Sequence, residues 1–156
     1  MPPETRDEAA YREHLGITRE PLDLQTLIDR VADPRSGAVA SFLGTVRSPN
    51  HGRTVHAIDY EGYDAMIDAE LARIALDLRD AYPLLGLAMV HRLGRCLPGE
   101  ASIAIVACTP HRAASFDACR DALDACKARL PVWKHEEDDE GAHWVDGNVV
   151  ESATLS

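Results

Sequence analysis

The sequence predicts an α+β fold with a largely antiparallel or mixed sheet. Apolar stretches of strand length occur in neighbouring pairs, and these pairs alternate with amphipathic segments of helical length. This order differs from the repeated single strand and helix units that build parallel sheets. The chain has 156 residues and 46% hydrophobic content, so we expect a single domain with its own core over residues 1–156.

The first 36 residues are predicted to hold a flexible tail, a short strand and a helix. Residues 1–13 are largely charged and are expected to be the tail, and residues 14–19 can form the strand. Asp23 is a helix cap, and the helix ends at Asp33 before a proline. Its apolar residues recur at helical spacing and are Leu24, Leu27, Ile28 and Val31.

Residues 37–61 are predicted to form a β-hairpin. The segment 37–47 is mostly apolar, which indicates a strand buried on both faces, and it ends on Arg47. Residues 54–61 form the returning strand. The polar loop 48–53 between them contains Pro and Gly, and we expect it to be a mobile flap.

The middle of the chain is predicted to contain a long helix and a second hairpin. The helix spans residues 63–82 and buries Ile67, Leu71, Ile74 and Leu78. The hairpin strands are residues 87–95 and 101–108. Pro98 followed by Gly99 predicts a type II turn between them.

A third helix is predicted to follow, with Thr109 as its cap, Pro110 in its first turn and Pro131 at its end. Residues 131–136 then form an extended segment, residues 137–142 an acidic turn, and residues 147–156 a flexible tail. The predicted buried side of this helix consists of Phe116, Cys119, Leu123, Cys126 and Leu130.

Composition limits the kinds of ligand and location. A net charge of −10 argues against nucleic acid or an anionic membrane as partner, so we expect any cationic site to be a local pocket for a small anion. The N-terminal residues lack the pattern of a signal peptide and no apolar run reaches ~18 residues, which predicts a cytoplasmic protein. The four cysteines and seven histidines lack metal-ligand spacing, so we expect no metal and no cofactor.

The only two lysines, Lys127 and Lys134, are candidate reactive residues. The chain has sixteen basic residues, of which fourteen are arginines. Arginine stays protonated, whereas a lysine in a desolvated or cationic pocket can act as a base or nucleophile. Two lysines within eight residues therefore point to chemistry in this stretch, although lysines are often solvated surface residues.

His111 and Arg112 in the first turn of the third helix indicate an anion site. The amino end of a helix is electropositive, so cations there cost stability unless an anion binds. The alternative is that both side chains turn into solvent. Arg112 and Lys127 are separated by fifteen residues, or about 22 Å along a helix. One small anion contacts both only if each site is shared between two copies, which predicts a symmetric homodimer.

Several short segments stand in an order that matches a known family over residues 37–145. They are Phe42–Arg47, Asn50–Gly52, Tyr60–Glu61, His91–Gly94, His111–Arg112 with Phe116, and Pro131–Glu136. With these segments the chain resembles the large, catalytic subunits of molybdopterin synthases. The resemblance implies an α/β hammerhead fold and a homodimer flanked by two small ubiquitin-like sulfur-carrier subunits, a heterotetramer. It also implies transfer of two sulfurs, from the carrier's C-terminal Gly-Gly thiocarboxylate, to cyclic pyranopterin monophosphate.

The resemblance also implies site residues. Lys127 and Lys134 match the catalytic lysines. The positions that match anion-binding or substrate-contacting segments are Arg47, His111, Arg112, Thr45, Val46, His135 and Glu136. His135 departs from the family pattern, in which a second basic residue such as Lys or Arg is common at this position. Residues 1–36 carry no assignment.

Two other functions are compatible with the same cationic residues. One is a non-catalytic module that senses a phosphorylated metabolite through Arg47, His111 and Arg112. The other is a phosphate-ester hydrolase. Composition gives no preference among the three functions, and the series of matching segments favours the synthase.

Overall fold

A computed structural model of the chain describes residues 11–145, which form two four-stranded sheets and three helices. The strands are β1 (Arg12–Thr18), β2 (Ala38–Thr45), β3 (Val55–Gly62), β4 (Gly86–Arg92), β5 (Gly94–Cys96), β6 (Ala101–Thr109), β7 (Val132–Asp138) and β8 (Gly141–Val145). The helices are α1 (Leu24–Val31), α2 (Asp64–Ala81) and α3 (Arg112–Arg129). The predicted α+β class is confirmed. The expected tail 147–156 lies outside the described residues, as does most of 1–13, although β1 already begins at Arg12.

The first sheet is mixed and has the strand order β1-β4-β6-β2. β1 pairs with β4 in parallel, whereas β4 with β6 and β6 with β2 are antiparallel. The predicted hairpin of β4 and β6 is confirmed, including its turn. Gly99 has a φ of +88°, and the Glu100 N–H donates to the Leu97 carbonyl at 2.9 Å.

The second sheet is antiparallel and has the order β5-β3-β7-β8. The predicted hairpin of residues 37–47 with 54–61 is therefore wrong, because β2 pairs with β6 while β3 pairs with β5 and β7. The chain also changes sheet at Gly94, whose φ of +93° turns it from β4 into β5. The predicted strand 87–95 is thus divided between the two sheets.

Helices cover the two faces of the first sheet unequally. α2 and α3 pack on one face over a large core that includes Ile67, Leu71, Met89 and Ile105. α1 covers the other face, where Leu27 and Val31 pack on apolar residues of β4 and β6. Asp23 caps α1 as predicted, since its Oδ1 accepts from the Thr26 N–H at 3.2 Å.

The prediction that β2 is buried on both faces is wrong. β2 is an edge strand, and its side chains alternate between partly buried and exposed. α1 has only eight residues and packs on β1, β4 and β6. It does not reach β2, so Val39 and Leu43 remain 44% and 38% exposed.

α3 begins later than predicted, at Arg112, with His111 as its N-cap residue. Thr109 is the last residue of β6, and its hydroxyl donates to the His111 carbonyl at 2.6 Å instead of capping the helix. Phe116, which helical periodicity placed in the core, is 61% exposed. The buried face of α3 is formed by small residues, namely Ser115, Ala118, Cys119, Ala122 and Cys126.

The end of the described chain is more regular than predicted. The extended segment after Pro131 is strand β7, which continues to Asp138. The acidic turn is restricted to residues 139–140, because β8 pairs with β7 immediately afterwards. Among the described helices, none combines the length and apolarity that crossing a bilayer requires.

All four cysteines are buried free thiols, including Cys119 and Cys126, which were predicted on the buried side of α3. Burial raises the pKa of Cys119 to about 11 and that of Cys126 to about 12. The thiolate is the reactive form, so the native thiols should be inert. We expect a thiol-reactive dye at pH 8 to label the four cysteines only after denaturation. Rapid stoichiometric labelling of the native protein would contradict this packing.

Candidate functional site

A cleft between the two sheets holds most of the predicted site. It consists of an inner cavity of about 400 Å³ and an outer cavity of about 880 Å³. Four residues line both cavities and so form the junction between them: Thr45, Tyr60, Lys127 and Lys134. Both lysines of the chain therefore lie on one cleft, although they come from a helix and a strand.

Packing of the last turn of α3 positions Lys127. Arg129, two residues later, donates from Nε to Glu70 at 2.7 Å and from Nη1 to Asp77 at 2.8 Å, both on α2. The preceding residue, Cys126, is buried against Met89 of β4. The helix end is thus fixed on both sides of Lys127, which limits how far its backbone can move.

Strand alternation positions Lys134. β7 lies between β3 and β8, and Lys134 stands opposite Tyr60 and Val145. Side chains of a strand point to alternate faces, so Lys134 and Glu136 both line the cleft. His135 points to the other face, where its ring lies 4.7 Å from the ring of Trp144. The structure therefore does not bring the predicted contact residue His135 to the cleft.

The wall of the outer cavity is formed by the end of β2 and the loop after it. Arg47 lines this cavity, and its Nη2 donates to the Asn50 side chain at 2.7 Å. Val46 is 3% exposed and is hydrogen-bonded to the turn after β5 through its backbone, so it supports the wall with a buried side chain. The loop 48–53 is anchored, since Arg53 forms ion pairs with Asp138 at 3.5 Å and Glu140 at 3.0 Å.

Three polar residues of the inner cavity were not assigned from the sequence: Tyr60, His91 and Ser102. The ring of Tyr60 meets that of His91 edge-on, with centroids 5.2 Å apart. Burial raises the pKa of Tyr60, and burial, assisted by the nearby Lys134, lowers that of His91 to about 4. One sequence signal could have identified His91, because it is a polar residue that directly follows the apolar run of β4.

His111 and Arg112 lie at the opposite end of α3 from Lys127. The helix is continuous over Arg112–Arg129, so fifteen residues separate Arg112 from Lys127, about 22 Å along the axis. Neither residue is among those that line the two cavities. Both are exposed. Within one protomer the predicted anion-binding residues therefore lie in two places. Arg47 is at the cleft, whereas His111 and Arg112 are at the amino end of α3.

One group among residues 11–145 has the side chains that a metal ion requires. Ligand atoms of Glu136, Asp138 and His143 lie within 4.8 Å of one another. The Asp138 carboxylate is already paired with Arg53, and its Oδ1 accepts the Glu140 N–H at 2.8 Å. Because Arg53 supplies the positive charge that the buried carboxylate needs, we assign no metal to this group.

Comparisons with known proteins find relatives that share one description. The model of the MoaE protein family matches residues 17–129. A molybdopterin synthase catalytic subunit of Halalkalibacterium halodurans is 34% identical over 139 residues, which cover 89% of this chain and 88% of that protein.

Solved structures share the fold. Molybdopterin synthase from Staphylococcus aureus superposes with a TM-score of 0.80 at 27% identity, covering 84% of this chain and 96% of that one. A chain in the complex of subunits 1 and 2 of the molybdopterin-converting factor from Helicobacter pylori superposes with a TM-score of 0.70 at 20% identity, covering 85% and 90%. The family model matches most of the described elements, and the Halalkalibacterium relative aligns with this chain over most of the length of both proteins. The chain therefore belongs to the MoaE family.

Proposed function

We propose that this protein is the catalytic subunit of a molybdopterin synthase, a sulfurtransferase of molybdenum cofactor biosynthesis. It transfers two sulfurs from the thiocarboxylated C-terminus of a small carrier subunit to cyclic pyranopterin monophosphate. The observation that carries the proposal is the meeting of Lys127 and Lys134 at the junction of one cleft, in a chain of the MoaE family. Relatives with this name support the reaction class.

The phosphate of the substrate is proposed to lie near Arg47, in the outer cavity. A guanidinium binds phosphate oxygens through two parallel hydrogen bonds, which fixes orientation as well as supplying affinity. Thr45 and Glu136 line the same cavity and are proposed to contact the rest of the substrate, with Val46 supporting the wall. The pterin rings of the substrate are then proposed to lie in the inner cavity. The volume of this cavity, about 400 Å³, is in the range of small-molecule sites.

The two lysines are proposed to be the acid and base catalysts. Each sulfur transfer forms a carbon–sulfur bond on the substrate and releases a substrate oxygen as water, so a proton must reach that oxygen. Hydrolysis then breaks the carbon–sulfur bond to the carrier and leaves the carrier with an ordinary carboxylate. Lys127 and Lys134 stand on different walls at the junction of the cavities, which allows one to act on the leaving oxygen while the other stabilises an intermediate bound to the carrier.

The carrier tail is proposed to enter through the outer cavity, because an extended Gly-Gly segment needs an open approach to the lysines. The Helicobacter pylori complex contains two different subunits of a converting factor, which supports a pairing of this kind.

Four free thiols fit a reducing compartment, so we propose that the protein acts in the cytoplasm.

We propose a homodimer in which His111 and Arg112 of the partner subunit complete the phosphate site. The separation of Arg112 from Lys127 along one helix requires such sharing if both serve one substrate. Uncovered apolar side chains lie on the edge strand β2, namely Val39 and Leu43, and on α3, namely Phe116. Apolar surface of this kind is typical of subunit interfaces. Each of the two outer ends of one such dimer is proposed to hold one carrier, giving a heterotetramer of two catalytic and two carrier subunits.

The reaction is tested by reconstitution. We expect the protein, thiocarboxylated carrier and cyclic pyranopterin monophosphate to give the dithiolene product, and Lys127→Ala to lower kcat by at least ~10²-fold, because a general acid or base is lost. Substrate affinity should be largely retained. Product is measured by its fluorescent oxidised derivative or by mass spectrometry.

Arg120→Ala is the matched control, since Arg120 is an exposed cation on the same helix with only a 3.9 Å pair to Asp117. Its rate should be near wild type. An unchanged rate in Lys127→Ala would reject the catalytic assignment. Release of inorganic phosphate without any sulfur donor would instead favour a hydrolase, and ligand binding without turnover in the wild type a sensor.

Site sharing is tested by mixing two inactive variants, Arg112→Ala and Lys127→Ala. In a mixed dimer one site combines the intact Lys127 of one chain with the intact Arg112 of the other, while the second site lacks both. Random mixing makes half of the dimers mixed, so about one quarter of wild-type activity should return. No recovery after verified subunit exchange would exclude a shared site.

A further inference from the structure

His91 is one of three polar residues of the inner cavity to which the proposed chemistry assigns no role. It lies at the end of β4, whose other residues from Gly86 to Val90 are all buried and non-polar. Its own side chain is only 8% exposed, yet it lines the cavity together with both lysines. A buried polar group costs free energy unless its hydrogen bonds are satisfied, so an imidazole in this wall needs an explanation.

The hydrogen bonding of His91 determines its tautomer. Nδ1 lies 2.8 Å from the backbone carbonyl of Arg92. A carbonyl only accepts, so Nδ1 carries the hydrogen and donates it. Burial and the nearby Lys134 lower the pKa of the imidazole to about 4, so the ring is neutral at pH 7. Nε2, at the other side of the ring, therefore presents a lone pair.

The surroundings of His91 leave Nε2 available to a ligand. The hydrogen bond of the imidazole to the described part of the chain is made by Nδ1, which donates to the Arg92 carbonyl. The other titratable groups that line the same cavity are Tyr60 on β3, Cys126 and Lys127 on α3, and Lys134 on β7. The Tyr60 ring meets the imidazole edge-on, at an interplanar angle of 64°, and so holds the plane of the imidazole. The acceptor is consequently fixed in both protonation and orientation.

We infer that His91 binds the heterocyclic end of the substrate by accepting a ring N–H or amino hydrogen at Nε2. This inference rests on the proposed function, because it assigns the acceptor to the ring of a pterin whose phosphate lies near Arg47. A site that holds an unpaired acceptor discriminates against ligands without the matching donor. His91 would thus select substrates that carry an N–H at this position.

Two substitutions separate the acceptor from the rest of the side chain. His91→Asn retains an N–H that can reach the Arg92 carbonyl but has no atom at the position of Nε2. His91→Gln extends far enough to place an amide oxygen there. We expect His91→Asn to raise KM for the pterin by about 3- to 10-fold, the value of one neutral hydrogen bond, and His91→Gln to restore part of it.

Controls distinguish binding from a structural effect. KM for the carrier should not change, and His14→Gln, on β1 outside the cleft, should behave as wild type. The ratio of the pterin KM of His91→Asn to that of wild type should stay constant from pH 6 to pH 8, because the native imidazole is neutral throughout this range. An unchanged pterin KM in His91→Asn would overturn the inference.

A measurement on the wild-type protein covers the case in which the variants do not fold. The ¹⁵N resonance of a neutral imidazole nitrogen moves upfield when it accepts a hydrogen bond, so we expect the Nε2 signal of His91 to move on addition of the pterin. A signal that is already shifted without substrate would place a protein donor such as Lys134 on Nε2 and overturn the inference. If the wild-type protein turns over substrate but the Nε2 signal does not move, the role of His91 is rejected and the proposed function stands. If the wild-type protein does not turn over substrate, the proposed function and this inference are both rejected.

Discussion

The packing of α3 as one straight segment is the constraint on which the site depends. The helix lies on β2 and β6 and is joined to α2 by the two hydrogen bonds of Arg129. It delivers Lys127 to the cleft at its carboxyl end and holds Arg112 a helix length away at its amino end. No rotation of side chains closes a gap of about 22 Å, so the helix itself makes a single protomer incomplete for a ligand that needs both residues.

Arginine and lysine have different positions in this fold. Many arginines join elements through carboxylates, as Arg19 does with Asp64, Arg92 with Glu100 and Arg95 with Asp59 and Glu137. Exposed pairs of this kind contribute little stability each, but they orient neighbouring strands and helices. Both lysines instead line the cleft. Lys127, Lys134 and Arg47 thus give an acidic chain local positive charge where the two sheets meet, which the proposed anion site requires.

The sequence predicted local structure better than strand pairing. Helical periodicity identified α2 with its buried face, and Pro98-Gly99 identified a turn, because both signals lie within one segment. The partners of β2 and β3 depend on distant strands, so proximity along the chain gave the wrong hairpin. Phe116 was misassigned because periodicity gives a face of a helix and does not reveal which part of that face the sheet covers.

The same limit applies to the site. The lysines were found because their scarcity is visible in the composition, and Glu136 and Arg47 because they stand in matching segments. His135 was expected at the substrate because it stands in the same segment, but alternation in β7 turns it to the opposite face. His91 and Tyr60 were not assigned, because their significance comes from a cavity that five strands and the end of α3 enclose together. No pattern within one segment of the sequence indicates that these elements meet.

The shortness of α1 has an effect far from where the helix lies. α1 ends at Val31 and packs on β1, β4 and β6, so Val39 and Leu43 of the edge strand stay open to water. In the proposed dimer a partner subunit covers this edge. A helix that does not line the cleft would then set how much apolar surface a second protomer can bind, and with it whether the shared phosphate site can assemble.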